Sequence, residues 1–232
     1  MHALDALYTR WPFYGSRRMQ WALADDYGIA ICREHVQRLM RTMGIAAIYP
    51  KQHTSLPALG HTIYPYLLRN QTIVRPHQVW GTDITYIRLT QGFGYLTAIM
   101  DWFSRYVLAW EVSTTLEADF CVTALRSALT HAIPEIHNSD QGAQFTSVDY
   151  TSILDAHGVA ISMDGRGRCM DNIFTERLWR TVKYEEVYLK EYCTIDDVRD
   201  GLSVYFPFYN TRRRHQALKN KTPAEVYSAG MS

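Results

Sequence analysis

The run Val79-Trp80-Gly81-Thr82-Asp83-Ile84-Thr85-Tyr86-Ile87 decides how the rest of the chain is read. Its β-branched and aromatic residues, in partial alternation, predict a strand with a carboxylate, Asp83, projecting from its middle. Two further strand-like runs follow, Phe93 to Asp101 and Tyr106 to Val112. Their short connections, one through Thr90-Gln91-Gly92, suit an antiparallel meander. Leu116 to His131 then reads as a helix, with Phe120, Thr123, Ala124, Ser127 and Ala128 as its small-residue face. Ile136-His137-Asn138-Ser139-Asp140 reads as a short fourth strand stopped by Gln141-Gly142. It leaves an acid at a strand's carboxyl end, where open α/β sheets place their sites.

A helix over 147–157, a fifth strand from Val159 to Met163 and a basic loop, Asp164-Gly165-Arg166-Gly167-Arg168, come next. Glu176 falls in the first turns of a helix from about Asn172 to Leu189, with Asp171 at the N-cap. Ile173, Leu178, Val182 and Tyr188 are expected to face the sheet, while Arg180 and Lys183 share the Glu176 face at i+4 and i+7. Three carboxylates, Asp83, Asp140 and Glu176, thus come from three separate elements, with 35 residues between the last two. Hard oxygen donors of this kind suit Mg²⁺ or Mn²⁺. Two such ions about 4 Å apart would activate an attacking oxygen and stabilise a leaving one. The chain holds 23 acidic residues, so spacing alone is weak and the element that carries each acid matters more. Arg180 and Lys183 beside a metal ligand suit a DNA phosphate, though ordinary helix ion pairing explains them equally well.

Three strands, helix, strand, helix, strand, helix is the order of the ribonuclease H-like fold, an α/β architecture with a mixed five-stranded sheet and flanking helices. Three segments resemble the catalytic signatures of one family: Val79 to Tyr86, Asn138-Ser139-Asp140-Gln141-Gly142 with its continuation to Ser147, and Asp171 to Trp179. The family is that of the integrase-like, second-frame transposases of the bacterial insertion-sequence-three group, related to retroviral integrases. The resemblance runs from Tyr14-Gly15-Ser16-Arg17-Arg18 to Thr222-Pro223-Ala224-Glu225. It implies a DDE transposase, with Mg²⁺-dependent hydrolysis at the element terminus followed by attack of the freed 3′ hydroxyl on another phosphodiester. Asp83 would bridge two ions, Asp140 would hold one and Glu176 the other, and Lys183 takes the basic position seven residues after the Glu. The implied partners are terminal inverted repeats and target DNA, a homo-oligomer on that DNA, and the first-frame product of the same element. Two other readings stay open, a DNA-binding remnant or inhibitor without chemistry and a nuclease of the same fold that cuts without joining. Arg213 departs from the proline that relatives often carry there, and only 13 residues precede Tyr14.

At 232 residues, 47% hydrophobic and 20% charged, the chain can bury a sizeable core in one large or two smaller domains. The formal charge of +1 conceals an asymmetry: residues 1–75 carry +5 and residues 76–232 carry −4. Positive charge is therefore concentrated at the N-terminal end, where a nucleic-acid module is expected. Residues 1–47 read as a helix-turn-helix. Met19, Ala22 and Leu23 mark one apolar face closed by Gly28; Val36, Leu39, Met40 and Met43 mark another stopped by Gly44. Arg33, Gln37, Arg38 and Arg41 would then face a DNA groove, although a generic helical hairpin has the same spacing. Residues 48–75 read as an extended linker, 76–192 as the catalytic core and 193–232 as a C-terminal helical extension. In that extension Tyr205 to Leu218 mixes aromatics with Arg212-Arg213-Arg214, which suits either nucleic acid or a packed helix. Arg166, Arg168, Arg180 and Lys183 complete the expected DNA contacts. Cys32, Cys121, Cys169 and Cys193 lack zinc spacing and are expected to be reduced, mostly buried thiols. His137, close to Asp140, reads as a packed strand residue or as a group that supports that acid. With neither a signal peptide nor an 18-residue apolar span, a cytoplasmic protein without a membrane partner is expected.

Overall fold

Residues 1–48, 64–164 and 173–231 are described by the computed structural model, and the chain divides into two units, Met1–Ala58 and Leu59–Ser232. The first unit holds three helices: α1 (His2–Arg10), α2 (Ser16–Tyr27) and α3 (Arg33–Thr42). Leu4 and Leu7, Met19 and Leu23, and Val36 and Met40 give each helix two buried residues that meet in one cluster. Gly28 closes α2 at φ 62°, a left-handed conformation open to glycine at little cost. Only α2 and α3 were expected from the sequence. The third helix, α1, completes a core that two helices would leave half open.

The second unit runs β1 (Val79–Arg88), β2 (Phe93–Asp101), β3 (Val107–Ser113), α4 (Asp119–Leu129), β4 (Ile136–Ser139), α5 (Val148–Ala156), β5 (Ala160–Met163), α6 (Ile173–Glu185), α7 (Ile195–Thr211) and α8 (Pro223–Gly230). The sheet order is β3-β2-β1-β4-β5. The first three strands form the expected antiparallel meander, while β4 and β5 join β1 in parallel. Side chains alternate across the sheet, so each face has its own core. Leu96, Ala98 and Met100 pack with Leu178, Val182, Leu202 and Phe206 of α6 and α7. Trp80, Ile99, Phe120, Ala124, Tyr150 and Leu154 pack on the opposite face with α4 and α5. The mixed sheet flanked by helices is the predicted fold.

Several local expectations are corrected. The buried face of α4 is Phe120, Cys121, Ala124, Leu125 and Ala128, and Thr123 and Ser127 point to solvent. Helix α6 ends at Glu185 and a short 3₁₀ turn, Val187–Leu189, follows; Tyr188 is exposed there, as is Ile173 at the helix start. Asp171, expected as the N-cap, lies outside the described residues. Residues 64–75, read as linker, are seated on the sheet edge: the Leu67 N–H donates to Ser162 Oγ at 3.0 Å and Leu68 is buried. Helix α7, read as an extension, belongs to the core through Val198, Leu202, Tyr205, Phe206 and Tyr209. It starts at a capping box between Thr194 and Asp197. Cys121 is buried but Cys32 and Cys193 are exposed, and Cys169 lies outside the described residues. His137 is packed as expected, its Nε2 2.8 Å from the Tyr150 hydroxyl. Among the described residues no helix is long and apolar enough to cross a membrane.

Candidate active site

Asp83, the fifth residue of β1, stands opposite Ala98 of β2. Directly opposed residues share a face, so Asp83 is turned toward the α6 and α7 layer, where Ala98 is buried. On the other side of β1 the parallel ladder sets Gly81 level with Asn138. Two residues beyond that pair come Asp83, still within β1, and Asp140, one residue past the end of β4, so the ladder carries the second acid toward the first.

Asp140 lies just past the end of β4, and its Oδ1 accepts the Gly142 N–H at 2.9 Å. A Cβ on residue 142 would lie 2.8 Å from that same oxygen, so glycine is required for the close approach. Glu176 comes from the first turn of α6. One turn on, Trp179 fastens this helix to β1, its Nε1 donating to Asp83 Oδ2 at 2.9 Å. The Thr97 hydroxyl donates to the Asp83 backbone carbonyl at 3.1 Å and steadies the strand at that residue.

Burial raises the Asp83 pKa to about 6 against the hydrogen bonds from Trp179 and Ile84, and Asp140 and Glu176 push it further upward. Both other acids therefore act on the Asp83 carboxyl. Surrounding protein also raises the Asp140 pKa, even though the residue keeps an exposed surface. Lys183 feels Asp83 as well: burial lowers its pKa and the Asp83 charge opposes the shift. Among the described residues, no three His, Cys, Asp or Glu side chains are gathered tightly enough to hold a metal ion. The three acids are thus electrostatically coupled neighbours rather than a closed cage. Like charges repel, and Asp83 and Asp140 each commit an oxygen to an N–H donor.

The other expected site residues divide. Arg180 is exposed and lies over the Tyr184 ring, 5.7 Å from its centroid. Arg166 and Arg168 lie outside the described residues. In the N-terminal unit Arg38 and Arg41 are exposed on α3 and Gln37 is half-buried. Arg38 Nη2 lies 3.3 Å from His35 Nε2, and Arg33 Nε donates to Ser16 Oγ at 3.3 Å. A concavity of about 640 Å³ there brings Arg17 and Arg18 together with Arg33. Apolar spacing could not mark Arg17 and Arg18; their signal was two consecutive cations at a helix start. Trp179 and the Gly142 N–H were likewise unassigned. Trp179 sits three residues after Glu176, on the same helical face.

Residues 74–169 and 157–223 match family models of the integrase core domain, and residues 1–53 match an HTH-like domain. The chain is 34% identical over 217 residues to the putative transposase InsK for insertion sequence element IS150 of Escherichia coli (strain K12), spanning 91% of this chain and 76% of that protein. It is 31% identical over 220 residues to the transposase for insertion sequence element IS629 of Shigella sonnei, spanning 93% and 74%. Among solved structures, the HTLV-2 integrase catalytic core domain in complex with magnesium aligns at TM-score 0.55 and 16% identity, over 66% of this chain and 98% of that one. A chain of the simian T-cell lymphotropic virus intasome in complex with PP2A regulatory subunit B56 gamma aligns at TM-score 0.59 and 14% identity, over 97% and 74%. The structural likenesses establish the fold and the sequence relatives establish the kinship: this chain belongs to the integrase-like DDE transposases of the bacterial insertion-sequence-three family.

Proposed function

We propose that this transposase cleaves a phosphodiester at the end of an insertion sequence and joins the freed 3′ hydroxyl to another phosphodiester, using Asp83, Asp140 and Glu176. The observation that carries the reading is the register of β1 and β4, which pairs Gly81 with Asn138 two residues before Asp83 and Asp140, together with the Trp179 hydrogen bond that ties the Glu176 helix to Asp83. Three carboxylates are hard oxygen donors of the kind a divalent cation takes, and binding one would require the acids to draw together from the separation they have here. A carboxyl whose ionised form is disfavoured by burial and by two neighbouring acids gains from a positive charge at the same place. Asp83, Asp140 and Glu176 would hold two Mg²⁺ or Mn²⁺ ions, which would supply Lewis-acid stabilisation of the attacking and leaving oxygens.

The chain's own residues do the positioning. Trp179 and the Gly142 N–H aim one oxygen each of Asp83 and Asp140, and Lys183, within electrostatic reach of Asp83, suits a phosphate oxygen of the bound strand. Arg38 and Arg41, exposed on α3, and Arg17, Arg18 and Arg33, which line one concavity of the same unit, suit terminal-repeat DNA. Arg180 and Gln37 are assigned supporting DNA contacts, as are Arg166 and Arg168, which lie outside the described residues. Joining two ends calls for a homo-oligomer on DNA.

The test is incubation of a labelled terminal-repeat duplex with Mg²⁺ and either the natural chain, Asp83→Asn or Glu176→Gln. Cleaved and joined products are expected from the natural chain alone. Equal product from all three proteins rules the assignment out, and cutting without joining identifies a nuclease instead.

A further inference from the structure

Within the second unit lies a basic concavity of about 580 Å³ to which none of the three acids contributes. Arg105 reaches it from the turn between β2 and β3, Phe174 and Arg177 from the first turns of α6, and Arg213, Arg214 and His215 from the chain just past α7. Its charge is only partly compensated. Glu185 accepts from Arg213 Nε at 2.7 Å and Nη2 at 2.5 Å, and Arg214 donates to the Asn220 carbonyl at 2.8 Å. Asp101 acts on Arg105 from a distance, but its Oδ2 accepts the His77 N–H and its Oδ1 accepts from the Ser104 N–H and hydroxyl.

Arg105 is the unusual residue. Its φ is 66°, a left-handed conformation that a long side chain rarely adopts. Its guanidinium lies 3.3 Å from the centroid of the Phe174 ring, and its buried Nη1 has no hydrogen-bond partner among the described residues. A buried N–H without an acceptor is a cost that native folds rarely carry without a reason. Burial lowers the Arg105 pKa to about 10, so the group keeps its charge near neutral pH. Burial also takes His215 down to about 4, and Arg213, Arg105 and Arg177 all add to that shift. Three guanidiniums therefore act on one neutral ring. Converging planar cations with spare N–H donors match the tetrahedral oxygens of a phosphate better than any neutral ligand.

We propose that this concavity binds a backbone phosphate of a DNA strand, with Arg105 as the buried donor and Arg177 and Arg214 as the exposed ones. Arg177 and Arg214 are open to solvent, so a continuous strand can pass the site. Phe174 and Arg177 flank Glu176 in sequence. A phosphate held here would brace the helical turn that carries the third acid. The inference rests on the transposase reading and adds to it a DNA contact apart from the acidic site.

Binding of the full chain to a fluorescent duplex, measured by anisotropy across a salt series in EDTA, tests the site without cleavage. Arg177→Gln and Arg214→Gln change exposed residues and are expected to keep the natural melting temperature; Arg105→Gln is measured with them. Each variant is expected to weaken binding and to lower the slope of log affinity against log salt by about 0.9, the loss of one phosphate contact. Unchanged slopes in the two exposed variants overturn the proposal even if Arg105→Gln fails to fold. A free anion is the other source of the same chemistry. Stabilisation of the natural chain by inorganic pyrophosphate, absent in Arg177→Gln, with DNA slopes unaltered, overturns the DNA assignment. If the natural chain binds no DNA at all, the proposed activity falls too; if it cleaves DNA while the variant slopes stay natural, only this site falls.

Discussion

Replacing Trp179 with Phe removes one N–H from the Asp83 carboxylate while keeping an aromatic ring in the core. The indole Nε1 donates to Asp83 Oδ2 at 2.9 Å, and Trp179 is only 6% exposed, so water cannot readily take the donor's place. A hydrogen bond to an ionised group contributes about 1.5–3 kcal/mol. Every 1.4 kcal/mol is roughly a factor of ten, so loss of this aim on Asp83 is expected to slow cleavage by about 10- to 100-fold. The smaller ring also loosens the packing of α6, at about 0.5–3 kcal/mol of stability. The assay is the initial rate of cleavage of a labelled terminal-repeat duplex over a Mg²⁺ series, at a temperature where circular dichroism shows both proteins folded. A folded Trp179→Phe that cleaves at the natural rate with the natural Mg²⁺ dependence would refute the positioning role.

Two further outcomes test the frame that supports the site. The Asn210 side chain, 7% exposed, accepts from the Val107 N–H and donates to the Val107 carbonyl, both at 2.9 Å. Asn210→Ala strands both backbone groups and is expected to cost about 2–4 kcal/mol in urea unfolding; a shift below about 1 kcal/mol counts against that account. His137 is fully buried, and burial takes its pKa from 6.5 to about 3. The unfolded chain therefore binds this proton first, so the stability involved is complete above pH 6.5 and is lost as pH falls from 6.5 toward 3. His137→Gln is expected to flatten the melting-temperature curve across that window, and parallel curves for the two proteins contradict the assignment.

Period-two alternation around Asp83 and the close spacing of the next two runs made β1, β2 and β3 legible, because both are local properties of a strand and its turns. The same holds for α2 and α3, whose apolar spacing and closing glycines need no distant partner. Even the acid at the end of β4 could be read, since Gly142 interrupts the strand next to it. Boundaries and faces were less accessible. Thr123 and Ser127 looked like part of a small-residue face, but the width of the α4 stripe depends on which sheet side chains lie beneath it. Tyr188 lost its expected place because α6 breaks at Glu186, where the following 3₁₀ turn redirects the chain.

Local sequence, then, determined which residues alternate, where helices stop and which three elements carry acids, because each of these depends on neighbours within a turn or two. Tertiary structure alone decided that β1 and β4 pair with Gly81 level with Asn138, two residues before Asp83 and Asp140, and that the Trp179 N–H reaches across 96 residues to Asp83. It also decided that Arg105, Arg177 and Arg213 converge on one ring. Such meetings are set by strand register and by burial of a shared core, and neither is a property of any one segment.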